Sequence, residues 1–311
     1  MSFIPLRGCS DTCFINLFLN MLIYPLFAII FWGLSFVATK IALRELNPAI
    51  LILLRFTIGA LILAGALAFK KYPLKIKKSD IFLLLFCGLI IAIHISVQVS
   101  GMRFTTASNT AWIVATSPVF VVILSRFVFK ERFSFLKIVG ILLAILGVMF
   151  LVSKGEPKNV SFIRSPGDWM ILVSSVTWAI YSVAGKKLLN TYSATLITFY
   201  SLAIICILTL PLSLNHQSFV SVLKLSKVGW MAIFYLGIFC SGIAYLFWSR
   251  ALKGGNAGEV SVYLYLEPLV ATLGAYLILK EAITIWTVSG GALIILGIYV
   301  VSVKRGSITV G

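Results

Sequence analysis

Residues 106–129 read TASNTAWIVATSPVFVVILSRFVF, and residues 256–279 read NAGEVSVYLYLEPLVATLGAYLIL. Each stretch is long enough to cross a bilayer, because a spanning helix needs about 20 predominantly apolar residues. Each also carries a proline near its middle, and Pro118 and Pro268 lie 150 positions apart. The two stretches therefore predict membrane-spanning helices that belong to a duplicated unit.

The composition of the whole chain is that of a membrane protein. Of its 311 residues, 60% are hydrophobic and only 11% are charged, whereas soluble domains carry about 25% charged residues. Lys and Arg outnumber Asp and Glu by 26 to 9, but they lie between apolar runs and form no basic face for nucleic acid. We therefore expect a multispanning protein of the lipid bilayer without a sizeable soluble domain.

Apolar runs of spanning length predict ten transmembrane helices. They fall at 21–43, 49–69, 80–101, 106–129, 134–152, 167–189, 194–213, 228–250, 256–279 and 283–303. The expected fold is an all-α membrane protein. Its parts are an N-terminal tail (1–20), two five-helix units (21–152 and 167–303), a linker loop (153–166) and a C-terminal tail (304–311).

The two five-helix units carry matching residues. Trp32 and Lys40 in the first predicted helix recur as Trp178 and Lys186 in the sixth. Because five is an odd number, the second unit must enter the membrane from the opposite side, which predicts an inverted repeat. Small residues that allow close helix packing also share a face in helices five and ten. They are Gly140 and Gly147, and Gly290 and Gly297.

The loop charges predict the orientation. With both termini in the cytoplasm, sixteen Lys and Arg residues fall on the inner side and nine on the outer side, in agreement with the excess of positive charge on cytoplasmic loops. The outer nine are Lys40, Arg44, Arg103, Lys154, Lys158, Arg164, Lys224, Lys227 and Lys280. Trp169, Trp230 and Trp286 begin helices at the same outer surface, as an interfacial aromatic belt would.

The N-terminal segment and the cysteines predict no processing signal and no metal site. The segment to Asn20 lacks the ordered features of a signal peptide, and Met21 is an alternative start. Three cysteines in apolar runs are expected to be free thiols, and an N-terminal pair lacks the further ligands of a metal site. The three are Cys87, Cys206 and Cys240, and the pair is Cys9 and Cys13. No metal and no cofactor is predicted.

Glu267 is the first candidate for a functional side chain. An ionisable group at the centre of a membrane costs about 2.5–3.5 kcal/mol, and Glu267 lies near the middle of the ninth predicted helix, beside Pro268 and close to Tyr263. Broken helices of this kind form the midplane sites of transporters. We predict that Glu267 and Tyr263 line a substrate site; the alternative is a protonated Glu267 that bonds to a neighbouring helix.

Two further ionisable residues lie within predicted spans. His94 and Gln98 are one turn apart and face the same way, which favours contact with substrate or a proton relay, although a packing histidine fits as well. Arg55 lies about two turns into the second helix. There it could bind an anionic group, snorkel to the surface or form a structural ion pair.

Three tryptophans lie within helices, away from the predicted belt. Trp32, Trp178 and Trp112 could stack on a flat or amphipathic solute, although core packing is the more frequent role of such residues. Pro118 and Pro268 are predicted to be equivalent hinges. The sequence has no HExxH, no GxSxG and no phosphate-binding glycine loop, so we do not expect an enzyme.

The sequence resembles the EamA-type transporters of the drug/metabolite transporter superfamily from about Tyr24 to Val303. The order and spacing of short motifs carry the resemblance. They are Trp32-Gly33-Leu34-Ser35-Phe36, Leu54-Arg55-Phe56, Phe104-Thr105-Thr106-Ala107, Ser117-Pro118-Val119-Phe120, Lys130-Glu131, Arg250-Ala251-Leu252, Leu266-Glu267-Pro268-Leu269 and Leu279-Lys280-Glu281. The resemblance implies ten helices in inverted repeats, cytoplasmic termini, a central cavity and transport of small solutes.

The same resemblance implies favoured positions for Arg55, Glu131 and Glu281, whereas Glu267 before the proline occurs in only part of such families. We expect a secondary transporter that exports an amino acid or a related amphipathic solute across the bacterial inner membrane by alternating access. An importer or antiporter of a larger metabolite, such as a nucleotide-linked or sulfonium compound, stays open, as do an intramembrane enzyme and a receptor. Glu267 and His94 could also carry a coupled proton.

Overall fold

The computed structural model describes residues 11–70, 73–130, 134–153, 165–279 and 285–303. Every regular element in these ranges is helical. The helices are α1 (Asp11–Ala42), α2 (Pro48–Phe69), α3 (Lys78–Gly101), α4 (Ala107–Val114), α5 (Ser117–Phe129), α6 (Phe135–Ser153), α7 (Pro166–Leu189), α8 (Ala194–Ser213), α9 (His216–Leu223), α10 (Lys227–Tyr235), a π-helical segment (Leu236–Ala244), α11 (Tyr245–Gly254), α12 (Ala257–Ser261), a 3-10 segment (Val262–Leu266), α13 (Glu267–Leu279) and α14 (Ile285–Val303).

Six stretches of helix in the described ranges are long and apolar enough to cross a membrane. They are Leu22–Ala42, Pro48–Phe69, Lys78–Gly101, Asn109–Phe129, Ala194–Ser213 and Lys227–Gly254. The prediction of an all-helical, multi-pass membrane protein is confirmed, while the count of ten spans and the inverted repeat stay predictions. α1 begins at Asp11, so part of the predicted tail continues the first helix. Most of the predicted linker and the C-terminal tail lie outside the described residues.

Two of these six stretches are interrupted, and a third interruption lies outside them, before α13. α4 ends at Val114 and α5 begins at Ser117, the π-helical segment separates α10 from α11, and the 3-10 segment precedes α13. Pro118 and Pro268 are each the second residue of a helix, where the missing N–H of proline leaves no intrahelical hydrogen bond unmade. Both prolines therefore lie where the α-helix is interrupted, and their role as hinges stays a prediction.

Paired glycines join α6 to α14. A Cβ atom on Gly140 would lie 2.7 Å from the carbonyl oxygen of Gly297, and one on Gly147 would lie 2.6 Å from the carbonyl oxygen of Gly290. Gly140 of α6 lies against Gly297 of α14, and Gly147 lies against Gly290. The residue numbers therefore increase in opposite directions, and the two helices run antiparallel. This geometry agrees with the predicted packing role of the four glycines.

Replacing Gly147 by Ala is expected to lower the midpoint of thermal unfolding in detergent. The new methyl group would lie 2.6 Å from the Gly290 carbonyl oxygen and 2.7 Å from the Ile294 backbone nitrogen, and overpacking of this kind costs about 1–3 kcal/mol. Gly65→Ala is the matched control, because nothing lies within 4 Å of a Cβ at Gly65. An unfolding midpoint for Gly147→Ala equal to or above that of Gly65→Ala would contradict the packing.

Candidate functional site

A cavity lies where α1, α2, α3 and α7 meet the interrupted segments. It is lined by Trp32, Ser35, Phe36, Thr39, Arg55, His94, Ile95, Gln98, Met102, Val114, Trp178, Tyr245, Leu264 and Glu267. The volume open to the centres of water molecules is about 40 Å³, and one water needs about 10–15 Å³ on that measure. The cavity therefore has room for only a few waters in this conformation.

An aromatic cluster forms one wall of the cavity. The ring centroids of Trp32 and Trp178 are 5.0 Å apart, and the two rings pack edge to face at 90°. The centroid of the Tyr245 ring lies 5.3 Å from that of Trp32. Trp248 packs behind them, 5.7 Å from Trp32 and 5.6 Å from Trp178. Edge-to-face pairs of this kind add about 0.5–1.5 kcal/mol beyond burial, so the cluster is a rigid surface that a solute could contact.

Glu267 brings a carboxyl group to the cavity at a helix break. It is the first residue of α13, directly after the 3-10 segment, and its side chain is only 2% exposed. Within the described ranges its Oε2 atom has no hydrogen-bond partner, whereas buried polar atoms of folded proteins are nearly always hydrogen-bonded. A solute that donates hydrogen bonds or carries a positive charge would supply the missing partner.

Gly33 allows α1 to approach this break. A Cβ atom on Gly33 would lie 2.7 Å from the side chain of Val270 and 3.2 Å from the carbonyl oxygen of Glu267. Because Trp32 is the neighbouring residue, the close contact at Gly33 holds the aromatic cluster and the carboxyl group against the same cavity.

Arg55 is positioned by the π-helical segment. Its Nε atom donates a hydrogen bond of 2.9 Å to the Ser241 hydroxyl, and its side chain is 4% exposed. Trp32 donates from Nε1 to the carbonyl oxygen of Cys240 at 3.0 Å, so the same π-helical segment also fixes the indole. π-helical turns are frequent at functional sites. Arg55 thus lies in the cavity wall and does not snorkel to the surface.

His94 has a defined hydrogen bond on one ring nitrogen. Its Nδ1 atom lies 2.8 Å from the carbonyl oxygen of Ser174, and since a carbonyl oxygen only accepts, Nδ1 carries the proton. In a neutral ring Nε2 is then an acceptor. The ring also lies 5.1 Å from that of Trp178, which ties His94 to the aromatic cluster.

The structure brings together six of the eight side chains predicted for the site. Trp32, Trp178, Arg55, His94, Gln98 and Glu267 all line the cavity. Trp112 and Tyr263 are not among its lining residues. Sequence reasoning missed Tyr245 and its neighbour Trp248, although their spacing of three residues puts them on one face of α11.

The His, Cys, Asp and Glu side chains are dispersed in the described part of the chain. There, no group of three or more His, Cys, Asp and Glu side chains is arranged to hold a metal ion. Cys87, Cys206 and Cys240 are free thiols. The site is therefore defined by one arginine, one carboxyl group, an imidazole and an aromatic wall.

A polar cavity enclosed by interrupted helices in a multi-pass membrane protein is the architecture of membrane transporters. Comparison with known proteins agrees: a model of the EamA-like transporter family matches residues 19–153 and again residues 165–303. The chain belongs to the EamA-like transporter family, and the resemblance seen in its motifs is confirmed. Membership of this family indicates a transporter, which is not an enzyme.

Similar proteins extend over nearly the whole chain. Two uncharacterized transporters of Archaeoglobus fulgidus are 31% and 33% identical, each over 88% of this chain and 94% and 96% of its own length. The uncharacterized transporter YyaM of Bacillus subtilis is 26% identical over 91% of this chain and 94% of its own length. One known crystal structure superimposes with a TM-score of 0.71 at 21% identity, covering 92% of this chain and 98% of that chain, which shows a shared fold.

Proposed function

We propose that the protein is a secondary transporter that exports a small zwitterionic metabolite, an amino acid or a close relative, across the bacterial inner membrane. The observation that carries the proposal is that an arginine and a carboxyl group line the same cavity. Arg55 can take the carboxylate of the solute and Glu267 its amine, while the aromatic cluster contacts the side chain. Arg is suited to the first role because its guanidinium donates in the fixed geometry that a carboxylate accepts.

The size of the cavity supports a small solute. The volume open to water centres is about 40 Å³, so a small solute requires less widening of the cavity than a nucleotide-linked compound does. A solute enters when the walls move apart at one end, as alternating access provides.

Two lysine contacts support closure at both ends of the cavity. Lys40 donates from Nζ to the carbonyl oxygen of Met102. Lys186, which follows Lys40 by 146 residues as Trp178 follows Trp32, donates to the carbonyl oxygens of Leu252 and Gly255. In the orientation predicted from loop charge, Lys40 lies on the outer side and Lys186 on the inner side. Alternating access requires the two contacts to break in turn.

The antiparallel packing of α6 and α14 supports the inverted repeat that this cycle needs. These helices are the predicted fifth members of the two units, and they meet through glycines at matching positions. Helices with equivalent positions that run in opposite directions are what a two-fold axis in the membrane plane produces.

Counterflow into proteoliposomes tests the proposed function. Vesicles loaded with one unlabelled amino acid at a time are diluted into a trace of the same radiolabelled compound. We expect transient accumulation for at least one zwitterionic amino acid and none in protein-free vesicles. If only nucleotide-linked or sulfonium compounds accumulate in the same assay, the proposed substrate class is wrong. If a solute is chemically converted without net flux, the protein is an enzyme and not a transporter.

A further inference from the structure

A second depression lies at the outer end of the cavity. Its lining residues are Lys40, Leu43, Arg44, Arg103, Thr106 and Ala107, and its volume is about 410 Å³. It adjoins the central cavity, because Thr39 and Met102 line the cavity while the next residues, Lys40 and Arg103, line the depression. Three cationic side chains from the end of α1, the following turn and the α3–α4 turn therefore meet in one place.

No carboxylate in the described part of the chain forms an ion pair with these cations. None of the six lining residues is acidic, and neither the Arg44 nor the Arg103 guanidinium has a hydrogen-bond or ion-pair partner among the described residues. Like charges in a confined space repel each other. The lining of the depression, as far as the structure describes it, is therefore electropositive and contains no acidic side chain.

Two carboxylates in adjoining described segments have hydrogen-bond partners of their own. Glu45, next to Arg44, accepts hydrogen bonds of 2.7 Å from the backbone N–H and from the hydroxyl of Ser226. These hydrogen bonds lower the pKa of Glu45, so it stays ionised and bound to the start of α10. Asp168 is 1% exposed and accepts from Asn109 at 2.6 Å and from the backbone of Ser165 at 2.8 Å.

The opposite end of the molecule provides an internal comparison. The positions that correspond to Lys40, Arg44 and Arg103 in the second half are Lys186, Asn190 and Lys253. Lys186 donates to two carbonyl oxygens, and Lys253 donates to the carbonyl oxygen of Tyr192 at 2.7 Å. Arg44 corresponds to the neutral amide of Asn190. The inner end is where positive charge is favoured, yet it keeps fewer cations at these positions.

We infer that Lys40, Arg44 and Arg103 form an outer binding site for an oxyanion, a carboxylate or a phosphate group. The start of α4 adds to the site, because Thr106 and Ala107 are in the lining and a helix N-terminus favours negative charge. The anion is either a soluble solute or the phosphate of a lipid headgroup. The Lys40 ammonium donates to the Met102 carbonyl oxygen. An anion bound in this site would compete with that carbonyl oxygen for the ammonium. The inference does not depend on what the central cavity transports.

Thermal unfolding of the purified full chain in an uncharged detergent tests the site. The probe is inorganic phosphate, compared with chloride at constant ionic strength. We expect a saturable rise in the unfolding midpoint of roughly 2–4 °C at ten times the Kd. The double variant Arg44→Gln/Arg103→Gln should lose the rise, and Lys224→Gln/Lys227→Gln, which removes two other outer cations, should keep it.

A second arm separates the two sources of anion. Nanodiscs of phosphatidylglycerol are compared with nanodiscs of phosphatidylcholine, without phosphate. Stabilisation by phosphatidylglycerol alone, lost in the arginine double variant, assigns the site to a lipid headgroup; a response to phosphate in detergent assigns it to a soluble anion. No effect of either probe, or equal effects in both double variants, would overturn the inference.

A chemical measurement on the unaltered protein covers the case in which the arginine variants fail to fold. Phenylglyoxal modifies exposed arginines, and peptide mass spectrometry quantifies each position. Saturating phosphate or phosphatidylglycerol should slow modification of Arg44 and Arg103 several-fold and leave that of the exposed Arg126 unchanged. If neither probe slows the modification of Arg44 and Arg103 more than that of Arg126, the site is refuted.

Discussion

Glu267→Gln is expected to reduce counterflow of the transported amino acid about 10-fold to 100-fold. The substitution keeps the size of the side chain but removes the charge that we assign to the solute amine. A hydrogen bond to a charged group contributes about 1.5–3 kcal/mol, and 1.4 kcal/mol is about tenfold in affinity. The comparison is initial accumulation at a solute concentration far below saturation, where a loss of affinity shows fully.

Ser117→Ala is the matched control for Glu267→Gln. Ser117 lies 150 residues before Glu267, is also buried at the start of a helix after a break, and its hydroxyl likewise has no partner among the described residues. We expect its counterflow to stay within about twofold of the wild type, since a hydroxyl carries no charge to lose. Equal flux through Glu267→Gln and the wild type would demote Glu267 to the structural role that its sequence context also allowed.

The sequence predicted the members of the site better than their arrangement. Trp32 and Trp178 stood out as matching residues of two halves, and their rings meet at 5.0 Å. Glu267 stood out because an ionisable group within an apolar run is costly in a membrane and therefore rare outside functional sites. Trp112 met the same criterion as Trp32, an indole inside a helix, but it does not line the cavity. Helical position alone does not say which face of α4 points inward.

The location of Arg55 shows why the rest could not be predicted. Snorkelling and cavity binding differ only in the location of the guanidinium at the end of a flexible side chain. That location depends on a hydrogen bond to Ser241, which is 186 residues away in the sequence. Ser241 is within reach because α10 continues as a π-helical segment, and because Gly59 allows α2 to approach until a Cβ there would lie 3.0 Å from the Gly242 nitrogen. No hydrophobic periodicity in the sequence signals a π-helical segment.

Arg55→Gln is expected to have the second large effect, and its pattern across solutes distinguishes binding from folding. If Arg55 holds the carboxylate, the variant should lose about 10-fold to 100-fold in counterflow of the amino acid. It should lose little for the corresponding amine that lacks the carboxylate, provided that the wild type transports that amine. Glu267→Gln should show the reverse preference, with the amine lost and a carboxylate-only analogue retained.

Ser241→Ala separates the charge of Arg55 from its position. This substitution leaves the guanidinium in place and removes only the hydroxyl that accepts from Nε, so we expect a loss of about threefold to tenfold, in the range of one ordinary hydrogen bond of about 0.5–1.5 kcal/mol. If counterflow of the amino acid and of the amine falls alike in Arg55→Gln, and the unfolding midpoint is also lowered, the buried arginine stabilises the packing of α2. Opposite solute preferences in Arg55→Gln and Glu267→Gln cannot arise from loss of stability, because a less stable protein loses all solutes alike. That reversal is therefore the result that would establish a zwitterion held between the two charges.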